Sequence, residues 1–205
     1  MARFLQAVAA GLLASASLFA APFSHRDHLR LKEKLTCVTC HVNAASSARV
    51  EDNLLPSAEI CLGCHRAQIN PPPVAKVAKF SHQQHLKMGN LAPLLAKAID
   101  SGQYLSAPGD TRRWLDTKNP CEACHRGLED SEQVSDANLP RMADCLVCHN
   151  KIDPPYSCET CHTDVKALTP ATHTEKWVDT HTDPKIDKQS CAACHGRRFR
   201  CQGCH

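Results

Sequence analysis

Apolar residues recur with a helical period in only a few short stretches of this chain. The clearest stretch, residues 91–100, predicts a helix with Asn90 as its N-cap and Gly102 as its stop. Two shorter helices are predicted over residues 57–64 and 141–148. No stretch alternates apolar and polar residues over the length of a strand, so the pattern predicts short helices joined by irregular segments. The apolar face predicted for residues 91–100 consists of Leu91, Leu94, Leu95 and Ala98.

A further helix is predicted nearer the C-terminus, where two histidines and a tryptophan form one stripe. His173, Trp177 and His181 lie at positions i, i+4 and i+8, with Thr172 as N-cap and Glu175 completing a capping box. On a helix the two imidazoles would lie about 12 Å apart along the axis, because each residue rises about 1.5 Å. That spacing suits two separate metal centres with the indole between them.

The N-terminal residues 1–21 have the organisation of a secretory signal peptide. A single cation, Arg3, precedes an apolar run over residues 4–19 that is rich in Ala and Leu, and small residues follow it. Cleavage is expected after Ala20, or alternatively after Ala16. The other alternative is an uncleaved membrane anchor, which the alanine content and the internal polar residues disfavour. The leader predicts a periplasmic protein, and an extracellular or membrane-anchored protein is the less favoured interpretation.

The composition after the leader is poor in the residues that build side-chain cores. From residue 21 onward, 33 of 185 residues are Leu, Ile, Val or Phe, which is below the level of about 20% under which chains tend to be disordered. So few apolar side chains do not readily offset the conformational entropy lost on folding. Either the chain is unfolded or some other apolar material forms its core.

The fourteen cysteines all belong to seven copies of C-x-x-C-H, with none left over. This motif is the attachment sequence of c-type haem, in which the two thiols bond to the porphyrin edge and the adjacent histidine is the proximal iron ligand. A zinc site or a set of disulfides is the alternative interpretation of such residues. Seven copies behind an export signal instead predict seven covalent haem c groups, which would also supply the apolar core. Motifs 1 to 7 are, in chain order, Cys37, Cys40 and His41; Cys61, Cys64 and His65; Cys121, Cys124 and His125; Cys145, Cys148 and His149; Cys158, Cys161 and His162; Cys191, Cys194 and His195; and Cys201, Cys204 and His205.

The six histidines outside the motifs form three pairs and are candidates for the second axial ligand of the haem irons. Two of the pairs lie in a shared local sequence, F-S-H-x-x-H-L. Histidines three residues apart on a helix or tight turn emerge from nearly the same face, but they diverge too much to bind one iron together. We therefore expect each member of a pair to serve one of two adjacent haems. The pairs are His25 and His28, His82 and His85, and His173 and His181.

With these pairs the sequence resembles the class III multihaem cytochromes c, the small cytochrome c3/c7-type electron carriers of the periplasm. The resemblance rests on His25-x-x-His28 upstream of Cys37, and on the pair His82 and His85 that repeats it. It implies that these four histidines are distal ligands, that the haems are bis-histidine ligated with low potentials, and that the backbone is mostly irregular. Members of the family usually hold three or four haems, so seven imply duplication or extension.

An internal repeat divides the chain into three segments. Residues 50–65 match residues 134–149 at an offset of 84. The predicted helix over 91–100 falls in an insertion, where it either covers a haem edge or forms a docking surface for a partner. The segments are a two-haem segment over 22–75, a three-haem segment over 76–168 with the insertion at 86–120, and a two-haem segment over 169–205.

Seven irons and six free histidines leave one haem without a histidine as its second ligand. Motif 5 is the expected site of this deficit because it has no counterpart in the repeat, and motif 3 is the alternative. That haem would take Met88 or Met142, stay five-coordinate, or borrow a ligand from another chain. A methionine ligand would raise its potential above those of its neighbours.

These features favour an electron carrier that is not an enzyme and whose partners are redox proteins, with a membrane-associated oxidoreductase as one possible partner. Two alternatives stay open, a reductase acting at the under-ligated haem and a protomer of a larger electron-conducting complex or filament. The net charge of +3 and the lack of basic runs interleaved with aromatic residues argue against nucleic acid as a partner.

Overall fold

The computed structural model of the protein describes residues 23–31, 35–49, 52, 54–65, 79–149, 158–186, 188 and 191–195. The predicted signal peptide and motif 7 lie outside these ranges. Within them the chain forms short α-helices joined by 3₁₀ turns and coil, and no β-strand. This confirms the predicted mixture of short helices and irregular segments. The helices are α1 (His25–Leu29), α2 (Cys37–Cys40), α3 (Ala58–Leu62), α4 (His82–Lys87), α5 (Ala92–Asp100), α6 (Met142–Cys148), α7 (Trp177–Thr180) and α8 (Cys191–His195).

The two F-S-H-x-x-H-L sequences fold into the same capped helix. The Ser24 hydroxyl accepts a hydrogen bond from the backbone N–H of Asp27 at the start of α1. The Ser81 hydroxyl accepts one from the backbone N–H of Gln84 at the start of α4. Each serine thereby satisfies one of the amide groups that a helix leaves unpaired at its N-terminus. Both histidine pairs are therefore held on short helices with a defined first turn.

The predicted helix over 91–100 is confirmed as α5, which starts one residue later, at Ala92. Asn90 Oδ1 accepts from the Ala92 N–H at 3.0 Å, and Gly102 follows the helix with a φ of 68°. The predicted apolar face is wrong at Leu94, which is 45% exposed, because the buried face is centred on Ala92, Leu95 and Ala96. That face packs against Leu115 and Ala123 in one hydrophobic cluster.

The two shorter helix predictions are also confirmed. Helix α3 begins after Ser57 and ends at Leu62, two residues before the predicted end. Helix α6 begins after Arg141 and runs to Cys148, so it contains both cysteines of motif 4. Each helix leads directly into an attachment motif.

The helix predicted across His173 and His181 is wrong in its first half. Turns precede α7, with backbone bonds from the N–H of His173 to the carbonyl of Pro170 and from the N–H of Trp177 to the carbonyl of Thr174. The residues before Trp177 are exposed, so no packed face stabilises another helical turn. Trp177 nevertheless stacks on His173, with ring centroids 4.6 Å apart and planes inclined by 11°.

The side-chain core is small and is confined to the middle of the chain. The buried hydrophobic residues of the described ranges all lie between Ala92 and Leu146, and no large side chain there is fully buried. By contrast, Val38 of motif 1 and Leu62 of motif 2 are each 52% exposed. Apolar side chains beside the cysteines of motifs 1 and 2 are thus about half exposed. No helix in the described part of the chain is long and apolar enough to cross a membrane.

Helices α1 and α4 both dock onto residues far away in sequence. The Arg26 N–H of α1 donates to the carbonyl of Ser131 at 3.2 Å, and the Arg26 guanidinium forms an ion pair with Glu132. The Gln83 N–H of α4 donates to the carbonyl of Ser47 at 2.9 Å. Contacts of this kind hold the histidine-bearing helices against other segments of the chain.

Candidate haem-binding site

The C-x-x-C-H motifs in the described part of the chain have similar backbone turns. In motifs 1 to 5 the N–H of the histidine donates to the carbonyl of the first cysteine four residues earlier, over 2.8–3.0 Å. Motif 6 forms helix α8. The turn places the first cysteine and the histidine on one side of the backbone. None of the twelve described motif cysteines forms a disulfide.

Each histidine of α1 faces the histidine of a different motif. The ring centroids of His25 and His41 are 6.3 Å apart, with planes inclined by only 7°. The ring centroids of His28 and His65 are 5.7 Å apart. The first helix therefore places its two imidazoles opposite motifs 1 and 2.

Helix α4 repeats this arrangement with the next two motifs, and a fifth pair lies near the C-terminus. His82 faces His125 with ring centroids 6.4 Å apart, and His85 faces His149 at 6.2 Å. The fifth pair joins two residues outside the repeat. It consists of His173 and His195, with centroids 6.1 Å apart and planes inclined by 10°.

The spacing of these rings fits an iron between two imidazoles. Rings in direct face-to-face contact would lie closer together. Two imidazoles that bind one metal ion from opposite sides, each through a nitrogen about 2.0 Å from it, have centroids about 6 Å apart. All five pairs lie near this value. Among the described residues, no group of three or more His, Cys, Asp or Glu side chains is arranged to hold a metal ion.

A hydrogen bond to the second ring nitrogen fixes the orientation of one imidazole on each of the two helices, whereas the buried Nδ1 of His25 has no partner among the described residues. His28 Nδ1–H donates to the Ser24 carbonyl over 2.7 Å, and His85 Nδ1–H donates to the Ser81 carbonyl over 2.8 Å. A proton held on Nδ1 leaves the lone pair on Nε2, the tautomer that a metal requires. The serines thus cap the helices with their hydroxyls and orient a histidine with their carbonyls.

A hydrogen bond from Nδ1 also orients the histidines of motifs 1 and 3, which occupy equivalent positions in the internal repeat. His41 Nδ1–H donates to the Leu54 carbonyl at 2.6 Å, and His125 Nδ1–H donates to the Asn138 carbonyl at 3.2 Å. Both acceptors lie 13 residues after their histidine. The sequence repeat with an offset of 84 is therefore also a repeat in structure.

An aromatic ring packs on each of the two helix-borne pairs. Phe23 stacks on His28 with centroids 4.5 Å apart and meets His25 edge-on. Phe80 stacks on His85 at 4.4 Å and meets His82 edge-on. These contacts restrict the rotation of both imidazoles in a pair.

Burial favours the neutral form of the innermost imidazoles. It is the largest cause that lowers the pKa of His25, His82 and His125 below the usual value, and positive charge on neighbouring histidines lowers each further. A neutral imidazole keeps the lone pair with which it binds a metal. The environment of these side chains thus suits metal ligation.

Motif 5 differs from the motifs around it. Among the described residues no second imidazole ring faces His162, and the buried Nδ1 of His162 has no hydrogen-bond partner. His181 shares the last two-haem segment with motif 7, and that motif lies outside the described residues. Met88 is 58% exposed at the end of α4.

Thiols of motif 1 lie near thiols of two other motifs. The Cys121 thiol of motif 3 lowers the pKa of the Cys37 thiol, and Asn119 Nδ2 donates to Cys37 Sγ over 3.5 Å. Burial raises the pKa of Cys40, and the nearby thiols of Cys61 and Cys64 raise it further. Motif 1 is therefore a neighbour of both motif 2 and motif 3.

The later motifs continue this series. Burial is the largest cause that raises the pKa of the Cys145 thiol to about 11, and the thiols of Cys124 and Cys161 contribute. Burial, followed by the thiol of Cys158, raises the pKa of Cys194. Neighbouring thiols thus link the six described motifs in a series, in the order 2, 1, 3, 4, 5 and 6. Helix α6 of motif 4 also contacts helix α8 of motif 6 directly.

Sequence analysis identified the motif cysteines and histidines but missed the groups that orient them. The carbonyls of Leu54 and Asn138 carry no sequence signal, since any residue has a carbonyl. Ser24 and Ser81 do carry one, because a serine just before a short helix is a favoured N-cap.

Comparison with family models, with curated proteins and with solved structures finds no match to this chain.

Proposed function

We propose that the protein is a periplasmic multihaem c-type cytochrome that carries electrons between redox protein partners. The observation that supports this most strongly is the set of five facing imidazole pairs. In each pair one ring belongs to a C-x-x-C-H motif and the other comes from outside the motifs. Each pair thereby brings an imidazole from elsewhere in the chain to a motif that carries two cysteines.

The proposed cofactors are seven haem c groups, one at each motif. The cysteines would form the covalent attachments, and the facing histidines would be the two axial ligands. Each haem iron held in this way changes its oxidation state by one electron. The chain supplies two imidazoles at each of the five paired sites, which leaves no ligand position for a substrate there. This ligation favours electron transfer over catalysis at the metal.

The spatial series of the motifs supports transfer through the protein. Each described motif has a thiol that lies near a thiol of another described motif. The neighbouring thiols of Cys37 and Cys121 connect the two halves of the repeat. Partners would exchange electrons at the ends of such a series, and those partners are expected to be other redox proteins.

The most direct test of the proposal is the mass of the exported, mature protein together with a redox titration followed by EPR. We expect the mass to exceed that of the cleaved polypeptide by seven haem groups. We expect most of the haems to be low-spin, as two imidazole ligands require. Six or fewer attached haems after complete maturation would refute the proposed cofactor content.

We also predict that His82→Ala converts a single haem, the one at motif 3, from low-spin to high-spin and shifts its potential. The reason is that His82 is the imidazole opposite His125. The matched control is Gln84→Ala, since Gln84 is an exposed residue of the same helix. EPR and optical spectra of both variants test this. An unchanged spectrum for His82→Ala would show that this residue is not a ligand.

A second candidate function, reduction of a small molecule at motif 5, is favoured by one observation. His162 has no facing imidazole among the described residues, and an open ligand position is what such a reaction requires. The two functions differ in their prediction for turnover. A carrier exchanges electrons with protein partners only, whereas a reductase oxidises an artificial donor faster when its small-molecule substrate is added.

A further inference from the structure

A buried ion pair lies between motif 3 and motif 4. Arg126 Nη2 lies 2.8 Å from Asp144 Oδ1, and the two side chains are only 6% and 4% exposed. Arg126 directly follows His125, the histidine of motif 3, and Asp144 directly precedes Cys145, the first cysteine of motif 4. A positive charge thus follows motif 3, a negative charge precedes motif 4, and the two charges lie in contact.

Hydrogen bonds hold both charges in place. The Tyr104 hydroxyl donates to Asp144 Oδ1 at 2.9 Å, and the Arg141 backbone N–H donates to Asp144 Oδ2 at 2.7 Å. Arg126 Nε and Nη2 both donate to the Ala123 carbonyl, at 3.0 Å and 2.6 Å. Burial and then the charge of Asp144 raise the pKa of Tyr104, so this hydroxyl keeps its proton and remains a donor.

Stability alone is a weak reason for such a pair. Removing two charges from water is costly, and apolar side chains of similar size often stabilise a protein as well or better. A charge fixed in a poorly polarisable interior, on the other hand, acts strongly on nearby groups. Asp144 directly precedes Cys145 and its partner Arg126 directly follows His125, so the charge pair lies beside both motifs.

On the basis of the proposed function, we propose that Asp144 and Arg126 act as a fixed charge pair that sets the reduction potentials of the haems at motifs 3 and 4. The carboxylate stabilises the more positive, oxidised iron and so lowers these potentials. The guanidinium has the opposite effect. Tyr104 weakens the effect of the carboxylate by donating a hydrogen bond to it. The pair thereby adjusts the potential step between two neighbouring sites in the middle of the series.

The test compares Asp144→Asn with Tyr104→Phe in the haem-loaded protein, with potentials resolved haem by haem from NMR signals of the haem methyl groups. Both changes disturb the same hydrogen bond, but only the first removes the charge. We expect Asp144→Asn to shift the potentials at motifs 3 and 4 upward. Tyr104→Phe is expected to shift them downward by less, because the carboxylate stays and loses a donor.

The matched control is Asp110→Asn, which removes a carboxylate from an exposed ion pair with Arg113. It should leave every potential unchanged. Shifts of the same sign in the Asp144 and Tyr104 variants would indicate structural loosening and overturn the proposal, as would no shift in either. Should Asp144→Asn fail to fold, the downward shift in Tyr104→Phe alone decides. A protein that attaches no haem would instead refute the proposed function, which the mass measurement reveals beforehand.

Discussion

A variant with alanine at all fourteen motif cysteines is expected to lose its folded structure completely. In the described ranges the buried hydrophobic side chains are few and lie only between Ala92 and Leu146, in the middle segment. Elsewhere, apolar residues such as Val38 and Leu62 are exposed beside the attachment cysteines. Without the attached groups, too little apolar surface is buried to offset the loss of conformational entropy.

Circular dichroism and limited proteolysis measure this effect. The variant should give a disordered spectrum, show no thermal transition and be digested rapidly. The matched control is the double change Cys61→Ala and Cys64→Ala, which removes only motif 2 at one end of the series. This control should lose one haem and still unfold cooperatively. A cooperative thermal transition in the fourteen-alanine variant would show that side chains alone can form the core.

The second large effect is expected at motif 5, whose haem should be the spectroscopic outlier among the seven. His82 lies opposite His125, so motif 3 has a second histidine. Among the described motifs, the deficit of one histidine therefore falls on motif 5. We expect this haem either to be high-spin and to bind one carbon monoxide per protein, or to be methionine-ligated with a raised potential. Carbon monoxide titration of the reduced protein distinguishes the two outcomes.

Two variants identify the ligand if carbon monoxide does not bind. Met88→Ala or Met142→Ala should then convert one low-spin haem to high-spin, according to which methionine is the ligand. Seven uniform bis-histidine haems in a monomer would contradict the ligand count, because the chain has only six histidines outside the motifs. The same spectrum in an oligomer would mean that the seventh imidazole comes from another chain, which would favour the filament or complex.

The local features of the candidate site could be predicted from sequence because they depend on short-range spacing. The motif turns, the capped helices α1 and α4 and the helices leading into motifs 2 and 4 are all local, and the structure contains each of them. The pairing of distal histidines with motifs is not local. It depends on how α1 and α4 dock onto remote segments of the chain. The spacing of two histidines three residues apart does not specify that docking.

The wrong predictions have similar causes. The stripe of His173, Trp177 and His181 has the right period for a helix, yet its first half is exposed and no neighbouring surface stabilises that turn. Leu94 has the right period for the apolar face of α5, but the actual face is determined by contacts with Leu115 and Ala123. The Arg126–Asp144 pair joins residues that flank two different motifs, so no local pattern reveals it.

The docking of α1 has a consequence for the order in which the protein is completed. Arg26 pairs with Glu132, which lies 106 residues later in the chain, and Arg30 pairs with Asp130. A chain made and exported from its N-terminus therefore presents His25 and His28 long before the surface that positions them exists. Helix α1, which we propose supplies ligands to the first two motifs, takes its final place only after motif 3 has emerged. A product that stops before residue 130 would carry those two motifs without correctly placed ligands, so the N-terminal sites are among the first to be made and among the last to be finished.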